Sequence, residues 1–329
     1  LQVTPASLDR LGGVDVHLLL VEAYGQTVVT TPAYATRLAP AYRELSASLE
    51  RAGFSVCTDF LQATVFGGNS WLTHATLQTA VPIADQYEYA LLLEQARVST
   101  LAKAFVRAGY RAVSVKPGTT RAAPQTRMYG FDKEYAAGDL GYRGPAYAWA
   151  PMPDQFVLQR IAERELTSPT RPFFGEYALV STHFPFTPHP PFVEDWAGLG
   201  DGSIFRRLQP VHVRQGQDGL SASALAYLSS LRYELRVLGD FVTRYVRGDA
   251  LVLIFGDHQP IAPVAGEDRS RSTPMHVLSR RDSLLRPFRD RGCVPGLVSH
   301  RPEPHRRMED LAIDLLHDFS TPKPVEVTW

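Results

Sequence analysis

The chain is short of lysine, of cysteine and of long apolar runs, and each shortage narrows what it can be. Only Lys103, Lys116, Lys133 and Lys323 are lysines among 34 basic residues, and 34 acidic residues balance them. A formal charge of zero gives no electrostatic pull toward nucleic acid, so no nucleic-acid partner is expected. No stretch approaches the roughly 18 consecutive apolar residues that cross a bilayer, and no charged-then-apolar leader starts at Leu1. Any membrane segment would therefore lie upstream of Leu1. The two cysteines, Cys57 and Cys293, suit either one long-range disulfide or two buried thiols, and they do not set the compartment. Repeats, low-complexity tracts and linkers are also missing, so residues 1–329 read as a single domain.

What the chain does have is a set of short apolar runs that end abruptly in chemically active residues. The clearest is LVLIFGDHQP, Leu251 to Pro260, where a strand buried on both faces stops at Asp257 and His258. VDVHLLLVEAY, Val14 to Tyr24, is a second such strand with Glu22 at its end, where a buried carboxylate needs a partner or a cation. PFFGEYALVS, Pro172 to Ser181, is a third and is followed by His183. Further strands are expected over Phe54 to Phe60, Tyr110 to Lys116 and Met275 to Leu278. Helical spacing runs over Tyr34 to Ala52, Leu91 to Ala108, Leu220 to Val246, Arg281 to Arg289 and Arg306 to Phe319, and Asp154 reads as the cap of a helix reaching Leu166. Helices alternating with strands give an α/β fold with a mostly parallel central sheet flanked by helices on both faces.

In such sheets ligands bind at the carboxyl edge, which is where these residues collect. Asn69-Ser70, behind the pair Gly67-Gly68, reads as the N-cap of a further helix, and a helix N-terminus behind a glycine pair offers free N–H groups to an anion. Ser70 is then either a cap or a nucleophile, with Thr73 as the fallback hydroxyl and His74 beside it. Glu22, Asp257, His258 and a serine oxygen make the inventory of a catalytic Zn or Mn site, and His183 would face a phosphoryl or sulfuryl group. Pro117 to Pro153 is a long excursion in which Arg121, Arg127, Asp132, Arg143 and Trp149 are candidate pocket residues. Phe184, Phe186 and Phe192 read as anchors of a proline-stiffened wall after His183.

Taken in order, VHLLLVEAYG, FGGNSWLTHA, STHFPFTP and LIFGDHQP resemble the alkaline phosphatase superfamily. The likeness is to its sulfatase-like membrane phosphotransferases, which include lipoteichoic acid synthases and phosphoethanolamine transferases. The resemblance covers about Val14 to Pro260. It implies one divalent metal, Zn or Mn, held by Glu22, Ser70, Asp257 and His258, with His183 on the phosphoryl group and Trp149, Arg143 and Thr73 contacting substrate. It further implies a phosphoseryl intermediate that carries phosphoglycerol or phosphoethanolamine from a phospholipid donor to an envelope glycan or lipid acceptor. The setting implied is the periplasmic or outer face of a bacterial inner membrane, with membrane attachment through a region upstream. Hydrolysis at the same site, as a phosphodiesterase, phosphatase or sulfatase-like hydrolase, is the alternative, and a degenerate binding partner in envelope-polymer assembly is the second. Cys293 is followed by Val-Pro-Gly-Leu and lacks the arginine that formylglycine formation requires, which disfavours the sulfatase route. No histidine follows the Asp257-His258 pair until His276, which disfavours a second metal site.

Overall fold

Alternate side chains of the strand Val16–Val21 (β1) face opposite cores, because successive residues of a strand point to opposite faces. Leu19 and Val21 join one buried apolar cluster, and Val16, Leu18 and Leu20 join the other. A strand buried at every position, and apolar at all but His17, is what a sheet covered on both sides demands. The computed structural model describes residues 6–95, 97–122, 124–213, 219–299, 304 and 306–322, so Lys323 lies outside the described residues.

In chain order β1 is followed by the helix Pro32–Arg51 (α1), the strand Ser55–Gln62 (β2) and the helices Ser70–Thr79 (α2), Gln86–Leu93 (α3) and Leu101–Arg107 (α4). Next come the strands Arg111–Lys116 (β3) and Lys133–Ala136 (β4), the helix Asp154–Ile161 (α5) and the strand Phe173–Leu179 (β5). The helix Ala222–Tyr245 (α6) leads into the strands Leu251–Gly256 (β6) and Ser272–Ser279 (β7) and the helix Asp282–Asp290 (α7). Two short strands, Val294–Pro295 (β8) and Arg306–Arg307 (β9), precede the last helix, Met308–Asp318 (α8). All nine strands form one sheet in the order β4-β3-β5-β1-β6-β7-β2-β8, with β9 also paired to β2. From β4 to β6 every pairing is parallel, while β7 runs antiparallel between β6 and β2. Helices α1, α5 and α6 pack on one face, and α2, α4, α7 and α8 on the other. Among the described residues no helix is long and apolar enough to cross a membrane.

Several expectations need correction. The pattern over Leu91 to Ala108 is two helices, because Thr100 accepts the Lys103 N–H at 3.2 Å and starts α4 afresh. Asp154 is the first residue inside α5 and not its cap. Its carboxylate turns away to the N–H groups of Val180 and Ser181. Asn69 is the residue before α2, in a left-handed conformation with φ of 66°, and makes no side-chain cap. Of the three wall phenylalanines Phe186 is buried, whereas Phe184 is 46% exposed and does not anchor the segment. Cys57 and Cys293 are joined in one long-range disulfide with their Cα atoms 5.5 Å apart and are not two free thiols.

Candidate active site

Three neighbouring strands deliver the site. β5, β1 and β6 lie side by side, so the residues leaving their carboxyl ends come together although they span most of the sequence. Glu22 follows β1, Asp257 and His258 follow β6, and each of the three offers a ligand atom within 4.8 Å of the others. All three are buried. Ser70, at the start of α2, donates its hydroxyl to Glu22 Oε2 at 2.8 Å, and its Oγ lies 3.2 Å from His258 Nε2.

The surroundings aim these atoms inward. Asp257 Oδ1 accepts from the N–H groups of Ala23 (2.8 Å) and His258 (2.7 Å), so Oδ2 is the oxygen left to face His258. His258 Nδ1 sits 2.7 Å from the Gln259 carbonyl, which can only accept. The Nδ1 proton is thereby fixed, and Nε2 presents its lone pair toward Glu22 Oε1 at 3.1 Å whenever the ring is neutral. Ala23 holds φ of 56°, a conformation costly for a residue with a side chain. The bond from Ala23 N–H to Asp257 and the Tyr227 hydroxyl donated to Ala23 O at 2.8 Å offset that strain. Gly256 is required for the same reason: a Cβ there would be driven into the Tyr24 carbonyl.

Charge makes the case for a cation. Burial raises the Asp257 carboxyl, and the neighbouring Glu22 carboxylate pushes it further, to about 7. Burial opposes ionisation of Glu22 as well, but His258, His183 and the Ser70 hydroxyl together outweigh it and hold Glu22 at about 2. Burial disfavours the His258 imidazolium, yet Asp257 and Glu22 pull it up to about 9. Two buried carboxylates facing one imidazole leave uncompensated negative charge. Two carboxylate oxygens, one imidazole nitrogen and one hydroxyl oxygen within this spacing fit a single divalent cation of the zinc or manganese type.

Beside the cluster lies a cleft of about 470 Å³ lined by Ser70, Trp71, His74, Lys116, Trp149 and His183 among others. The Trp149 indole stacks on the His183 ring at 3.9 Å and 14°. His183 Nδ1 is 2.6 Å from the Phe184 carbonyl, which leaves Nε2 as the free end of the ring. His74 pairs with the buried Glu176 at 3.0 Å. Two expected contacts are elsewhere. Arg143 is 78% exposed at its side chain and pairs with Asp201, outside the cleft lining. Thr73 is fully buried and donates to the Asp257 carbonyl at 3.0 Å, so it braces a ligand-bearing turn and does not face the cleft. Asp132 accepts the Ala112 N–H and pairs with Arg171, a structural use. Lys116, which sequence reasoning passed over, ends β3 at the same sheet edge and pairs with Glu134 at 3.5 Å. Its signal was the one already used for the others: a charged residue closing an apolar strand.

A doubly covered, mostly parallel sheet with an Asp-His, Glu and Ser cluster at its carboxyl edge matches an alkaline phosphatase or sulfatase-like fold, and the cluster is consistent with a divalent metal site. The sulfatase family model matches residues 16–275, and the chain belongs to that family. The expectation of an enzyme of this superfamily holds at that level. A search of curated proteins finds no match. Among solved structures the chain is similar to the lipoteichoic acid synthase LtaP from Listeria monocytogenes, at 14% identity and a TM-score of 0.58 over 95% of this chain and 78% of that one. It is also similar to the Streptococcus pyogenes phosphoglycerol transferase GacH in complex with sn-glycerol-1-phosphate, at 14% identity and a TM-score of 0.55 over 93% and 74% of the two chains. A third likeness is to the soluble domain of lipooligosaccharide phosphoethanolamine transferase A from Neisseria meningitidis, at 13% identity and a TM-score of 0.57 over 94% and 90%. These likenesses establish the fold.

Proposed function

We propose that the chain is a single catalytic domain that transfers a substituted phosphoryl group, phosphoglycerol or phosphoethanolamine, from a phospholipid to a hydroxyl of an envelope glycan or lipid. The observation that carries this reading is the Ser70 hydroxyl, held at a helix N-terminus, in hydrogen-bond reach of both Glu22 and His258 and open to the cleft. Glu22, Ser70, Asp257 and His258 would hold one Zn or Mn ion, which supplies a lowered hydroxyl pKa and screening of phosphoryl charge. Ser70 Oγ forms a bond to phosphorus, and the bond from phosphorus to the departing lipid oxygen breaks. His183, oriented by its Phe184 contact and by the stacked Trp149, faces the phosphoryl oxygens and can pass a proton to that leaving oxygen. An acceptor hydroxyl then gives its proton to His183 and bonds to phosphorus, and the bond from phosphorus to Ser70 Oγ breaks, which restores Ser70.

The disulfide between Cys57 and Cys293 supports a location outside the cytoplasm, on the outer face of a bacterial inner membrane. Membrane attachment upstream of Leu1 belongs to the same reading. The GacH and phosphoethanolamine transferase likenesses support the two head-group classes. Ser70→Ala, assayed on fluorescent phosphatidylglycerol and phosphatidylethanolamine with and without glycan acceptor, should lose turnover while retaining stoichiometric zinc. Turnover equal to wild type would overturn the reading, and products that never include a glycosyl or lipid phosphodiester would convert it to hydrolysis.

A further inference from the structure

Two carboxyl groups away from the metal-ligand cluster have no evident use in the mechanism. Asp154, at the start of α5, and Glu234, midway along α6, are both fully buried. Neither takes part in an ion pair among the described residues. Asp154 Oδ2 is well employed, accepting from Val180 N (2.8 Å) and Ser181 N (2.6 Å), while Ser181 Oγ accepts in turn from Asp154 N at 3.0 Å. Among the described residues, Asp154 Oδ1 and both oxygens of Glu234 have no hydrogen-bond donor. Buried acceptors left without donors are rare and costly. The two carboxyls interact with each other, and a proton on one of them would turn facing acceptors into a donor and an acceptor. Burial drives the Glu234 carboxyl well above its ordinary range, with Asp154 adding to it. Burial also raises Asp154, to about 6, against the bonds from Ser181 and Val180. Both carboxyls in turn act on the buried Tyr233 of α6, which burial raises first and which also feels Tyr147 from the segment before α5.

The segment clamped by Asp154 is the exit of β5. His183 N–H donates to Val180 O at 3.0 Å, and the Thr182 hydroxyl donates to the backbone carbonyl of Glu22 at 2.6 Å. Hydrogen bonds therefore run from Asp154, with which Glu234 interacts, to the turn that bears His183 and touches Glu22. We propose that Asp154 and Glu234 share one proton and act as a positioning device that holds the His183 turn against the metal-ligand cluster, a role that rests on the phosphotransfer reading. Neither is a catalytic residue, since neither touches the cleft.

Three measurements on the intact protein test this. Infrared difference spectroscopy at neutral pH should show a protonated, buried carboxylic acid in the wild type that disappears in Glu234→Gln. Its absence from the wild type overturns the shared proton, and this needs no substrate and no variant that must fold. Zinc-loaded Glu234→Leu, which removes the donor, should lose kcat on bis(p-nitrophenyl) phosphate by about 10²-fold with KM and zinc content unchanged, as misplacement of a reacting group does. Glu234→Gln, which keeps a donor toward Asp154, should restore kcat to within a few-fold. The ring resonances of His183, labelled with nitrogen-15, should move in Glu234→Leu and stay in place in Glu234→Gln. A stability loss in Glu234→Leu with wild-type kcat or with an unmoved His183 resonance overturns the positioning role. Should the wild type turn over no phosphodiester at all, the phosphotransfer reading fails, while the infrared and His183 results still decide the proton and the clamp.

Discussion

Filling the cluster of Glu22, Ser70, Asp257 and His258 with a divalent cation has to expel protons, and the shifted groups say over which pH range. In the metal-free protein burial works against the charged form of His258, but Asp257 and Glu22 outweigh it and raise the group to about 9. Below that pH the proton on Nε2 competes with metal for the same lone pair, because Nδ1 is committed to the Gln259 carbonyl. Apparent affinity should therefore fall tenfold per unit as pH drops below 9. Between pH 9 and pH 7 the loss is about 100-fold, or about 2.7 kcal/mol. Asp257, raised to about 7 by burial and by Glu22, adds a second competing proton below neutrality and steepens the slope there. Calorimetric titration of the metal-free protein with zinc, in two buffers of different ionisation heat, counts the released protons. Ser70→Ala should remove only the share contributed by the hydroxyl and keep the His258 share, which separates the two sources. Affinity that stays flat from pH 7 to pH 9 in Ser70→Ala, with no proton released, would refute the assignment of His258 Nε2 as a ligand atom.

Acid should weaken the fold through two other histidines. Burial lowers His17 to about 4 and His276 to about 3, whereas an unfolded chain protonates both near 6.5, so the unfolded state gains protons first and stability falls as pH drops below 6.5. At pH 5 the two together should cost about 4 kcal/mol, read as a drop in denaturation midpoint relative to neutral pH; equal midpoints would contradict it. In Gly118→Ala the new methyl would lie 2.9 Å from the Trp149 ring and push it off His183, so KM should rise several-fold at nearly constant stability. Replacing both Cys57 and Cys293 by serine opens a covalent loop with a sequence separation of 236 and should lower stability by up to about 5 kcal/mol in chemical denaturation. Zinc stoichiometry should survive, because the bridge lies at the antiparallel end of the sheet, away from β1 and β6.

The residues that could be placed from sequence share one property: each ends a run whose burial is unmistakable. Glu22, Asp257 and His258 are conspicuous because nothing polar precedes them for five residues or more, apart from His17 in β1. Ser70 was legible through the glycine pair ahead of it. Thr73 shows where this reasoning stops, since three residues along a helix decide between facing a cleft and facing the core, and both neighbours of α2 are apolar enough to hide the difference. Arg143 sits in a long excursion whose path no periodicity describes, and its pairing with Asp201 depends on a segment some sixty residues later. The antiparallel half of the sheet was invisible for a different reason. Strand direction is set by the connections, and Ser272–Ser279 reads the same whichever way it runs. The use of Asp154 is of the same long-range kind: its cap-like position before an apolar helix is a local signal, and the N–H groups of Val180 and Ser181 that claim it are tertiary.

The site's shape follows from strand order more than from any one residue. With β1 between β5 and β6, the turns after all three strands must share a few ångströms of space, and the chain meets this by binding the turns to one another. Asp257 bonds to the residue after Glu22, Thr182 bonds to Glu22 itself, and Thr73 of α2 bonds to Asp257. Ala23 in its strained conformation and Gly256 against the Tyr24 carbonyl are where that crowding is absorbed. A cluster tied together in this way keeps its ligand atoms converged before a cation arrives, which is the condition for fast, geometry-selective metal binding and for a serine held ready beside it. It also means that the ligand-bearing turns should move together. A substitution that loosens the β5 exit will be felt at Glu22 through Thr182, so damage to His183 positioning and damage to metal affinity are separable only in variants, such as those at Glu234, that act from behind Asp154 and leave the Thr182 bond in place.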